Sequence, residues 1–435
     1  MKIVVIGASF AGLACALEAR HLYPKAEIVV LEAGQNTAYI PNGLHWKLRG
    51  RIDELKEALW QPLDGWAAAG LDLRLGHRVT RIDPASKTLQ VDRQGQIQEI
   101  TYDKLVLAMG SSSRSDYIKG VNAHGVLTLK DLEHSQQAVG ILEQAQKVAI
   151  VGGGPIGIEA SETCLQLGKQ VSLYEAGPHL DFKHCDRDFV VPLEAKMQAA
   201  GLDLHLQERV EELVSHGTAG LVVQTSKGQQ AVDAVILGVN FRANSQLLEG
   251  LCDLELDGTV RVNDYLQTSQ PDIFAVGDLA HLSHLQEATY QPLINTALRT
   301  GRLAAFNLLV PHLAFPARVR LVGFQHFGLY RLSVGMTEEE AGFQTEVRVT
   351  KVCKQDLTLK LVWQAKTGQL LGLQCLSEQN GLLLGNLAAL SIRKQVTDEE
   401  LAMQEFLFAP YEDSFGLALH EGALASMKER VWGCY

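Results

Sequence analysis

Two short glycine-rich segments carry residue types that can hold a pyrophosphate. Residues 7–12 read Gly-Ala-Ser-Phe-Ala-Gly, and residues 152–157 read Gly-Gly-Gly-Pro-Ile-Gly. Glycines at these spacings let the backbone approach a phosphate closely, and a helix that follows offers unpaired N–H groups and the positive end of its dipole. The sequence therefore predicts two phosphate-binding loops, which we call the first cradle and the second cradle.

An acidic residue follows each cradle at a spacing that suits a ribose. Glu32 ends an apolar segment after the first cradle, and Glu175 ends one after the second. Such an acid accepts hydrogen bonds from a ribose diol in dinucleotide-binding folds. One glycine fingerprint is weak evidence, but here strand, turn, helix, strand and acid all occur twice. The pattern predicts one resident and one visiting dinucleotide, as in an electron-transfer flavoenzyme.

The segments that must position these residues predict an α/β fold. Apolar strands at residues 3–6 and 148–151 lead into the cradles. The other predicted strands lie at residues 27–32, 71–75, 87–91, 102–110, 170–175, 232–237, 272–278, 345–352 and 357–363. Helices are predicted at residues 296–309, 381–392 and 417–429, and Pro311 and Pro316 mark a boundary before the last part of the chain.

Composition limits the class of protein. A chain of 435 residues is long enough for two or three domains. Its net charge of -11 makes a nucleic-acid partner unlikely, because phosphate binding needs a basic surface. No apolar run approaches the roughly twenty residues that span a bilayer, and no secretory signal is visible at the N-terminus. We expect a cytoplasmic protein without membrane contact.

The cysteines and histidines do not predict a disulfide framework or a metal site. The seven cysteines are residues 15, 164, 185, 252, 353, 375 and 434. Their odd number and the absence of a Cys-x-x-Cys pair favour reduced, scattered thiols. His281 and His284 are close in sequence, but no further ligand pattern completes a site, so we expect no metal.

The order of these features resembles the pyridine nucleotide-disulfide oxidoreductases. Within that family the chain looks most like the branch of NADH oxidases, NADH peroxidases and coenzyme A disulfide reductases. The resemblance covers essentially the whole chain. Its marks are the two cradles, Ser9 in place of a second glycine, the segment 275–278 (Ala-Val-Gly-Asp), the helix start at 295–297 (Asn-Thr-Ala) and the segment Phe406–Tyr411.

The resemblance implies two Rossmann-like dinucleotide-binding domains, for FAD and NAD, and a C-terminal α/β dimerisation domain. The implied boundaries are residues 1–112 for the first part of the FAD-binding domain, 113–243 for the NAD-binding domain, 244–316 for the second part of the FAD-binding domain and 317–435 for the C-terminal domain. A homodimer is expected, with a partner chain helping to wall the active site.

The resemblance also implies that FAD is the resident cofactor. Glu32 would bind the adenosine ribose and Asp278 the ribityl chain, while the helix at Ala297 would direct backbone N–H groups at the pyrimidine edge of the flavin, where a helix N-terminus favours negative charge. The expected FAD contacts are Gly7, Ser9, Phe10, Ala11, Gly12, Glu32, Ala33, Asn42, Val79, Met109, Gly110, Asp278 and Ala297.

NADH is the visiting nucleotide that the resemblance implies for the second cradle, with NADPH as a weaker possibility. An acid at Glu175 repels the additional phosphate of NADPH. Glu159 matches a residue near the stacked flavin and nicotinamide, and it also suits the first turn of a helix. The expected NADH contacts are Gly152, Gly154, Pro155, Ile156, Gly157, Glu175 and Asn240.

The chain departs from the family at its catalytic cysteine. Relatives carry Cys in a Tyr-x-x-Cys-Gly segment, whereas residues 39–43 read Tyr-Ile-Pro-Asn-Gly and place Asn42 there. An amide cannot form a thiolate, a sulfenic acid or a mixed disulfide. Phe10 also stands where the peroxidases have a histidine. Two missing polar groups predict a changed activity, with Asn42 and Glu159 as the candidate catalytic residues.

Two further departures leave alternatives open. Pro155 stands where the peroxidases place a tyrosine that covers the flavin, and Asn240 replaces a glycine in the loop that contacts nicotinamide. Both changes are compatible with family drift or with altered access to the flavin. Asn42 could hydrogen-bond the flavin or a peroxide, or serve as a purely structural amide.

The leading functional hypothesis is an FAD-dependent NAD(P)H oxidase or dehydrogenase without a redox-active cysteine. Hydride would pass from NADH to flavin N5, and the electrons would pass to dioxygen, releasing hydrogen peroxide, or to another small acceptor.

Three alternatives remain. The acceptor could be a quinone, with residues 415–432 as a membrane-contacting amphipathic helix instead of a dimer-interface helix. The protein could be a low-turnover flavoprotein that senses NADH. A thiol of the other subunit, Cys375 or Cys434, could also take part.

Overall fold

The chain folds into two compact units. The computed structural model describes residues 1–217, 220–282, 292–316, 318–354, 356–406 and 415–433. Unit 1 comprises Met1–Tyr117, Leu127–Gln144 and Val239–Pro316, and unit 2 comprises Ile118–Val126, Ala145–Gly238 and Ala317–Tyr435. His284, Cys434 and residues 407–411 of the predicted segment Phe406–Tyr411 lie outside the described residues.

The strands and helices are numbered along the chain. The first strands are β1 Lys2–Ile6, β2 Glu27–Leu31, β3 Asp72–Arg74, β4 Arg78–Asp83, β5 Thr88–Arg93, β6 Gln96–Thr101, β7 Lys104–Leu107, β8 Ser111–Ser113, β9 Val126–Leu127, β10 Lys147–Val151, β11 Gln170–Glu175 and β12 Asp203–Leu206. The later strands are β13 Val210–Ser215, β14 Leu221–Thr225, β15 Gln229–Val232, β16 Ala234–Leu237, β17 Phe241–Ala243, β18 Val260–Arg261, β19 Ile273–Ala275, β20 Ala280–His281, β21 Leu321–His326, β22 Leu329–Gly335, β23 Val347–Lys354, β24 Leu357–Gln364 and β25 Leu370–Ser377. The helices are α1 Phe10–Leu22, α2 Gly43–Leu48, α3 Leu63–Ala68, α4 Leu132–Gln144, α5 Pro155–Gln166, α6 Val191–Ala199, α7 Ile294–Asn307, α8 Glu338–Gln344, α9 Leu384–Arg393, α10 Asp398–Met403 and α11 Phe415–Trp432.

Unit 1 is built on a five-stranded parallel sheet with the order β19-β7-β1-β2-β3. The residues of β1 and β2 are almost all buried aliphatic side chains, as expected for a parallel sheet that is covered on both faces. The pairing of Ile6 with Leu31 brings the ends of β1 and β2 to one edge of the sheet. That edge carries the first cradle and Glu32. The antiparallel strands β4, β5 and β6 form a separate small sheet.

Unit 2 repeats this parallel arrangement and adds the small antiparallel sheet β13-β14-β15 and a larger C-terminal sheet. Parallel strands in the order β12-β11-β10-β16 place the second cradle after β10 and Glu175 at the end of β11. The C-terminal part forms an antiparallel sheet in the order β21-β22-β25-β24-β23. Its core includes Trp363, which is fully buried and donates an indole hydrogen bond of 3.0 Å to Thr350 Oγ1. The fold is therefore α/β with two Rossmann-like sheets and a C-terminal α/β part, as the sequence predicts.

Several predicted elements have different ends in the structure. The strand predicted at 102–110 is shortened to Lys104–Leu107, and Gly110 has a φ of +64° that turns the chain. The helix predicted at 296–309 begins two residues earlier and ends at Asn307. It ends there because the side-chain oxygen of Asn307 accepts hydrogen bonds from the backbone N–H groups of His312 and Leu313, at 2.9 and 3.0 Å.

Residues 127–144, which include α4, group with unit 1, although the NAD-binding domain is predicted to begin at residue 113. The domain roles themselves stay predictions.

The last helix packs on the protein's own sheet. The buried residues of α11 recur at helical spacing, and the helix contacts β23 and β24. These buried residues are Ala418, Leu419, Gly422, Ala423 and Ser426. In the part of the chain that the structure describes, no helix is long and apolar enough to cross a membrane.

Candidate functional site

The turn of the first cradle can be made only by glycine. Gly7 has a φ of +105°, and a β-carbon there would stand 2.4 Å from the carbonyl oxygen of Ala108. A β-carbon on Gly12 would stand 1.9 Å from the carbonyl oxygen of Gly7. Because both obstacles are backbone atoms, neither can move aside cheaply. The two glycines keep the start of α1 close to the end of β1.

The N-terminus of α1 is open to an anion. Ser9 is its N-cap residue, yet its side chain makes no capping hydrogen bond. The first-turn N–H groups of a helix have no partner within the helix. A pyrophosphate placed there would satisfy them and meet the positive end of the helix dipole. The loop therefore fits the phosphates of a dinucleotide.

Glu32 is held beside this loop by two backbone N–H groups. Its Oε2 accepts a hydrogen bond of 2.8 Å from Ala8, and its Oε1 accepts one of 2.8 Å from Gly34. A carboxylate has about four acceptor positions, so each oxygen can accept a further hydrogen bond. The side chain is thus fixed in place and can still accept hydrogen bonds from a ribose. We call this arrangement the carboxylate clamp.

The second cradle has the same construction. Gly152 has a φ of +104°, and a β-carbon on Gly157 would stand 1.9 Å from the Gly152 carbonyl oxygen. The carboxylate of Glu175 accepts hydrogen bonds from the N–H groups of Gly153 and Gly177, at 2.7 and 2.5 Å. The two acids therefore hold equivalent positions in their clamps.

The entrance to α5 is formed by Gly154 and Pro155. Gly154 is the N-cap, and a β-carbon there would meet nothing within 4 Å, so the space in front of the helix is open. Pro155 is the first helical residue and lacks an N–H group, so it adds no donor for the phosphate. Ile156 and Gly157 follow as the next first-turn residues.

A lysine that the sequence did not single out lies beside Asp278. Ser111 Oγ donates a hydrogen bond of 2.8 Å to Asp278 Oδ2, and Lys130 Nζ lies 3.4 Å from the same oxygen. Lys130 also donates to the carbonyl and hydroxyl oxygens of Ser111. Burial lowers the pKa of Lys130, and the charge of Asp278 offsets part of this effect. A lone lysine distant in sequence from Asp278 has no motif that could reveal it.

The start of α7 meets the first cradle through Gly277. This residue has a φ of +66°, and a β-carbon there would lie 2.9 Å from Ala11 Cβ and 3.7 Å from Ala297 Cβ. The N–H group of Ala297 donates to the carbonyl of Leu293 at 3.0 Å. The N–H groups at the start of α7 that lack a partner within the helix therefore belong to residues before Ala297. The sequence prediction, which names Ala297 itself, is adjusted accordingly.

The remaining residues that are predicted to contact FAD lie in unit 1, and they differ in how far they are exposed to solvent. Val79 in β4 and Met109 after β7 are partly buried against the core, and Ala33 is exposed. The carbonyl oxygens of Met109 and Gly110 both accept hydrogen bonds from Asn244, at 2.9 and 3.0 Å. These contacts fix the chain at the end of β7 without using the side chains that the prediction names.

Asn42 is half-buried at the tight turn into α2. Its carbonyl accepts a hydrogen bond of 3.0 Å from Trp46, and the preceding turn is closed by Gly43 N–H donating to Ile40 at 2.8 Å. A β-carbon on Gly43 would lie 2.3 Å from Ala58 Cβ and 2.9 Å from the Tyr39 hydroxyl. The backbone at Asn42 is therefore held by the turn hydrogen bonds and by the close packing at Gly43.

Phe10 occupies an aromatic cluster and offers no proton. Its ring centroid lies 5.7 Å from that of Trp60, which lies 5.9 Å from that of Trp66. Phe10 is only 8% exposed. The position at which the peroxidases have a histidine is thus filled by packed apolar surface.

The residues predicted to surround the nicotinamide fall in both units. Glu159 is partly buried in α5 of unit 2, where its carbonyl accepts a hydrogen bond of 3.0 Å from Thr163 Oγ1. Asn240 is exposed and belongs to unit 1, where its carbonyl accepts a hydrogen bond of 2.6 Å from the N–H of Arg114. The structure groups Glu159, but not Asn240, with the second cradle.

The buried thiols are poor candidates for a replacement nucleophile. Burial, with a smaller contribution from Glu18, raises the pKa of Cys15 to about 12, and burial raises that of Cys375 to about 12. Cys375 is 2% exposed in the C-terminal core. Since the thiolate is the reactive form, both residues are inert near neutral pH.

Comparison with known proteins agrees with this geometry. The model of the family "Pyridine nucleotide-disulphide oxidoreductase" matches residues 1–301. An NADH oxidase of Enterococcus faecalis is 30% identical over 430 residues, which cover 95% of this chain and 96% of the relative.

Two solved structures of oxidases are also similar. The water-forming NADH oxidase from Lactobacillus brevis, bound to NADH, has a TM-score of 0.94, 27% identity and 99% coverage of both chains. An engineered water-forming NADPH oxidase derived from it, bound to NADPH, has a TM-score of 0.93, 26% identity and 99% coverage of both chains.

Proposed function

The chain belongs to the pyridine nucleotide-disulphide oxidoreductase family, and we propose that it acts within that family as an FAD-dependent NAD(P)H oxidase that uses no redox-active cysteine. It is an FAD-dependent NAD(P)H oxidoreductase. The two equivalent carboxylate clamps support one dinucleotide in each unit. The residue that carries the proposal is Asn42, an amide in the segment 39–43, where the family resemblance places the reactive thiol.

FAD suits unit 1 and NADH suits unit 2. When bound, FAD would supply the redox chemistry that links NADH to dioxygen. The chain's own residues would bind and orient the two nucleotides. Glu32 would accept the adenosine ribose hydroxyls, Asp278 with Lys130 would hold the ribityl hydroxyls, and the open N-terminus of α1 would hold the pyrophosphate. Glu175 would accept the ribose hydroxyls of NADH and repel the additional phosphate of NADPH.

Hydrogen peroxide is the expected product. Reduction of dioxygen by one NADH and one proton gives NAD⁺ and peroxide, and a second two-electron step is needed for water. Asn42 cannot form the sulfenic acid through which a thiol reduces peroxide. The buried Cys15 and Cys375 are protonated near neutral pH, because burial dominates the rise of both pKa values to about 12.

The test is the stoichiometry of aerobic turnover. Purified holoenzyme is mixed with limiting NADH under air, and peroxide is quantified with a peroxidase-coupled dye. We expect about one peroxide per NADH, because each hydride carries two electrons. Water as the sole product, as the name of the Lactobacillus brevis enzyme states for that protein, would overturn the cysteine-free proposal. Flavin that is reduced by NADH but never reoxidised would favour the sensing role.

A cytoplasmic homodimer is the assembly that we propose. Helix α9 and its N-cap expose a stripe of apolar side chains, with Leu383 80%, Leu387 37% and Leu390 47% exposed. A second copy of the chain is the partner expected to cover this stripe. Light scattering of the purified enzyme and of Leu387→Glu tests the proposal, which predicts a dimer that the substitution weakens. Cell fractionation tests the location.

A further inference from the structure

The loop that follows Glu175 touches the second cradle directly. The second residue of this loop, which spans residues 176–186, is Gly177, whose N–H group is part of the carboxylate clamp of Glu175. Further along, the N–H group of Asp181 donates a hydrogen bond of 2.9 Å to the carbonyl of Gly153. Leu180 packs directly against Gly153 of the cradle, since a β-carbon on Gly153 would stand 2.5 Å from Leu180 Cδ2. The position of the 176–186 loop therefore determines the shape of the cradle.

Asp181 joins this loop to the C-terminal sheet through a buried ion pair. Its Oδ2 lies 2.6 Å from Nη2 of Arg331 in β22, and the two side chains are 1% and 4% exposed. His184 Nδ1 lies 2.6 Å from Oδ1 of the same carboxylate. Burial alone would raise the pKa of Asp181, but Arg331 and His184 outweigh burial and hold the pKa below its ordinary value.

The backbone at Asp181 indicates that this position is constrained. Asp181 has a φ of +49°, which is uncommon for a residue other than glycine. Asparagine and aspartate tolerate this conformation better than most residues do. The surrounding contacts hold Asp181 in this left-handed conformation. In it, the backbone of Asp181 is hydrogen-bonded to the second cradle and its side chain is paired with Arg331 of the C-terminal sheet.

Three more contacts attach the loop to the same sheet. Arg320 Nη1 donates to the carbonyl of Lys183 at 3.2 Å, and Ser333 Oγ donates to the carbonyl of His184. Gln374 Nε2 donates to Asp186 Oδ2 at 2.7 Å. The loop is thus fixed by the C-terminal part of unit 2, which the sequence analysis assigns only to dimer formation.

We infer that the Asp181–Arg331 pair is a positioning device through which the C-terminal sheet sets the affinity of the second cradle for NAD(H). The inference rests on the proposed function, because it takes the second cradle as the NADH site. Without the pair, the loop loses its buried anchor, and Gly177 and Asp181 no longer hold Glu175 and Gly153 in the binding arrangement. A cradle that must be ordered by its ligand binds that ligand more weakly. The FAD site in unit 1 is not part of this device.

The test measures binding of NAD⁺ by calorimetry to FAD-loaded wild type, Asp181→Asn and Arg331→Met. We expect the dissociation constant to rise about tenfold in each variant. The KM for NADH should rise by a similar factor, and kcat and the flavin content should stay within about twofold, since the change acts on binding. A purely structural defect would instead lower the flavin content and kcat.

A matched control exists in the same C-terminal part. Asp398 is fully buried and pairs with Arg430, whose Nη2 lies 2.7 Å from its Oδ1, and its other side-chain partners, Ser426 and Arg348, also lie outside the 176–186 loop. Asp398→Asn should lower the unfolding temperature and leave the NAD⁺ dissociation constant unchanged. An equal loss of NAD⁺ affinity in Asp398→Asn and Asp181→Asn would overturn the inference, because any buried defect would then act alike.

The outcomes also separate this inference from the proposed function. Wild-type holoenzyme that neither binds NAD⁺ nor oxidises NADH contradicts the proposed function itself. Wild type that binds NAD⁺, with Asp181→Asn binding equally well, contradicts only the positioning role. If Asp181→Asn is recovered only as aggregate, Arg331→Lys keeps the positive charge and serves instead. If Arg331→Lys binds NAD⁺ with an affinity between those of wild type and Arg331→Met, the result supports the inference. If its affinity is no higher than that of Arg331→Met, the result overturns the inference.

Discussion

Gly301 lies directly against the carbonyl oxygen of Ala11. A β-carbon on Gly301 would stand 2.1 Å from this oxygen, closer than any real contact allows. Gly301 is in the middle of α7 and Ala11 is at the start of α1, so the two helices cross at the end of the first cradle. This contact packs the middle of α7 against the first cradle, the proposed binding loop for the phosphates of FAD.

Gly301→Ala should separate the two helices and weaken FAD binding. Overpacking of this kind costs about 1–3 kcal/mol of the free energy of unfolding. The flavin-to-protein ratio and the thermal unfolding of the apoprotein measure the two effects. Gly140 in α4 is the control, because a β-carbon there meets nothing within 4 Å. Gly140→Ala should stabilise the protein by about 0.5–1 kcal/mol. Full flavin content in Gly301→Ala would contradict the prediction.

Lys130→Met should lower the affinity for FAD. The substitution removes hydrogen bonds to Ser111 and the positive charge 3.4 Å from Asp278. Ser111 and Asp278 are then held less firmly before FAD binds, and a site that its ligand must order binds more weakly, so the dissociation constant should rise about tenfold. Titration of the apoprotein with FAD, followed by flavin fluorescence, gives this constant.

Lys87→Met is the matched control for Lys130→Met. Lys87 is also a lysine paired with an aspartate of unit 1, at 2.6 Å from Asp272, but it is 45% exposed and Asp272 keeps Lys104 as a partner. Its FAD affinity should equal that of wild type. Equal affinities for all three proteins would show that Lys130 does not act on FAD.

Asn42→Cys should shift the product from peroxide towards water. A cysteine at the position where the family resemblance places one can be oxidised by peroxide to a sulfenic acid, with release of one water, and a second NADH with a proton can reduce it back to the thiol, with release of another. The ratio of peroxide released to NADH consumed should then fall well below one. Asn42→Ser introduces a small polar side chain without a thiol and should keep the ratio near that of wild type. The same drop in Asn42→Ser would mean that thiol chemistry is not the cause.

The contribution of Asp181 to stability should disappear in acid. Its pKa is held below the ordinary value in the folded protein, so the stabilisation is fully present above about pH 4, the pKa of an unfolded aspartate. It is lost as the pH falls through the lower folded pKa. The difference in unfolding free energy between wild type and Asp181→Asn should therefore be smaller below about pH 4 than at neutral pH. Urea unfolding at several pH values measures it, and a difference that grows in acid would refute this sign.

The local parts of the site could be predicted from the sequence, and the long-range parts could not. Gly7, Glu32 and Glu175 follow from strand, turn and acid spacing within about thirty residues, because a βαβ unit fixes their geometry. The pairings of Lys130 with Asp278 and of Asp181 with Arg331 join residues that are far apart in sequence and carry no motif. The sequence predicts that α7 begins at Thr296, whereas it begins at Ile294 in the structure. The difference arises because the N-cap, Leu293, is not a residue type that usually caps a helix.

The carboxylate clamp has a consequence for how long each nucleotide stays. Glu32 and Glu175 are both oriented by two backbone N–H groups without a ligand. In the proposed complexes, either ribose would therefore meet a carboxylate whose side-chain entropy is already lost. Because this entropic advantage is the same for both nucleotides, the two clamps cannot be the reason that one nucleotide stays bound and the other dissociates. Residence time must be set by contacts that are not duplicated, such as Lys130 with Asp278. An engineer who wishes to change coenzyme exchange should therefore leave both clamps intact and alter those contacts.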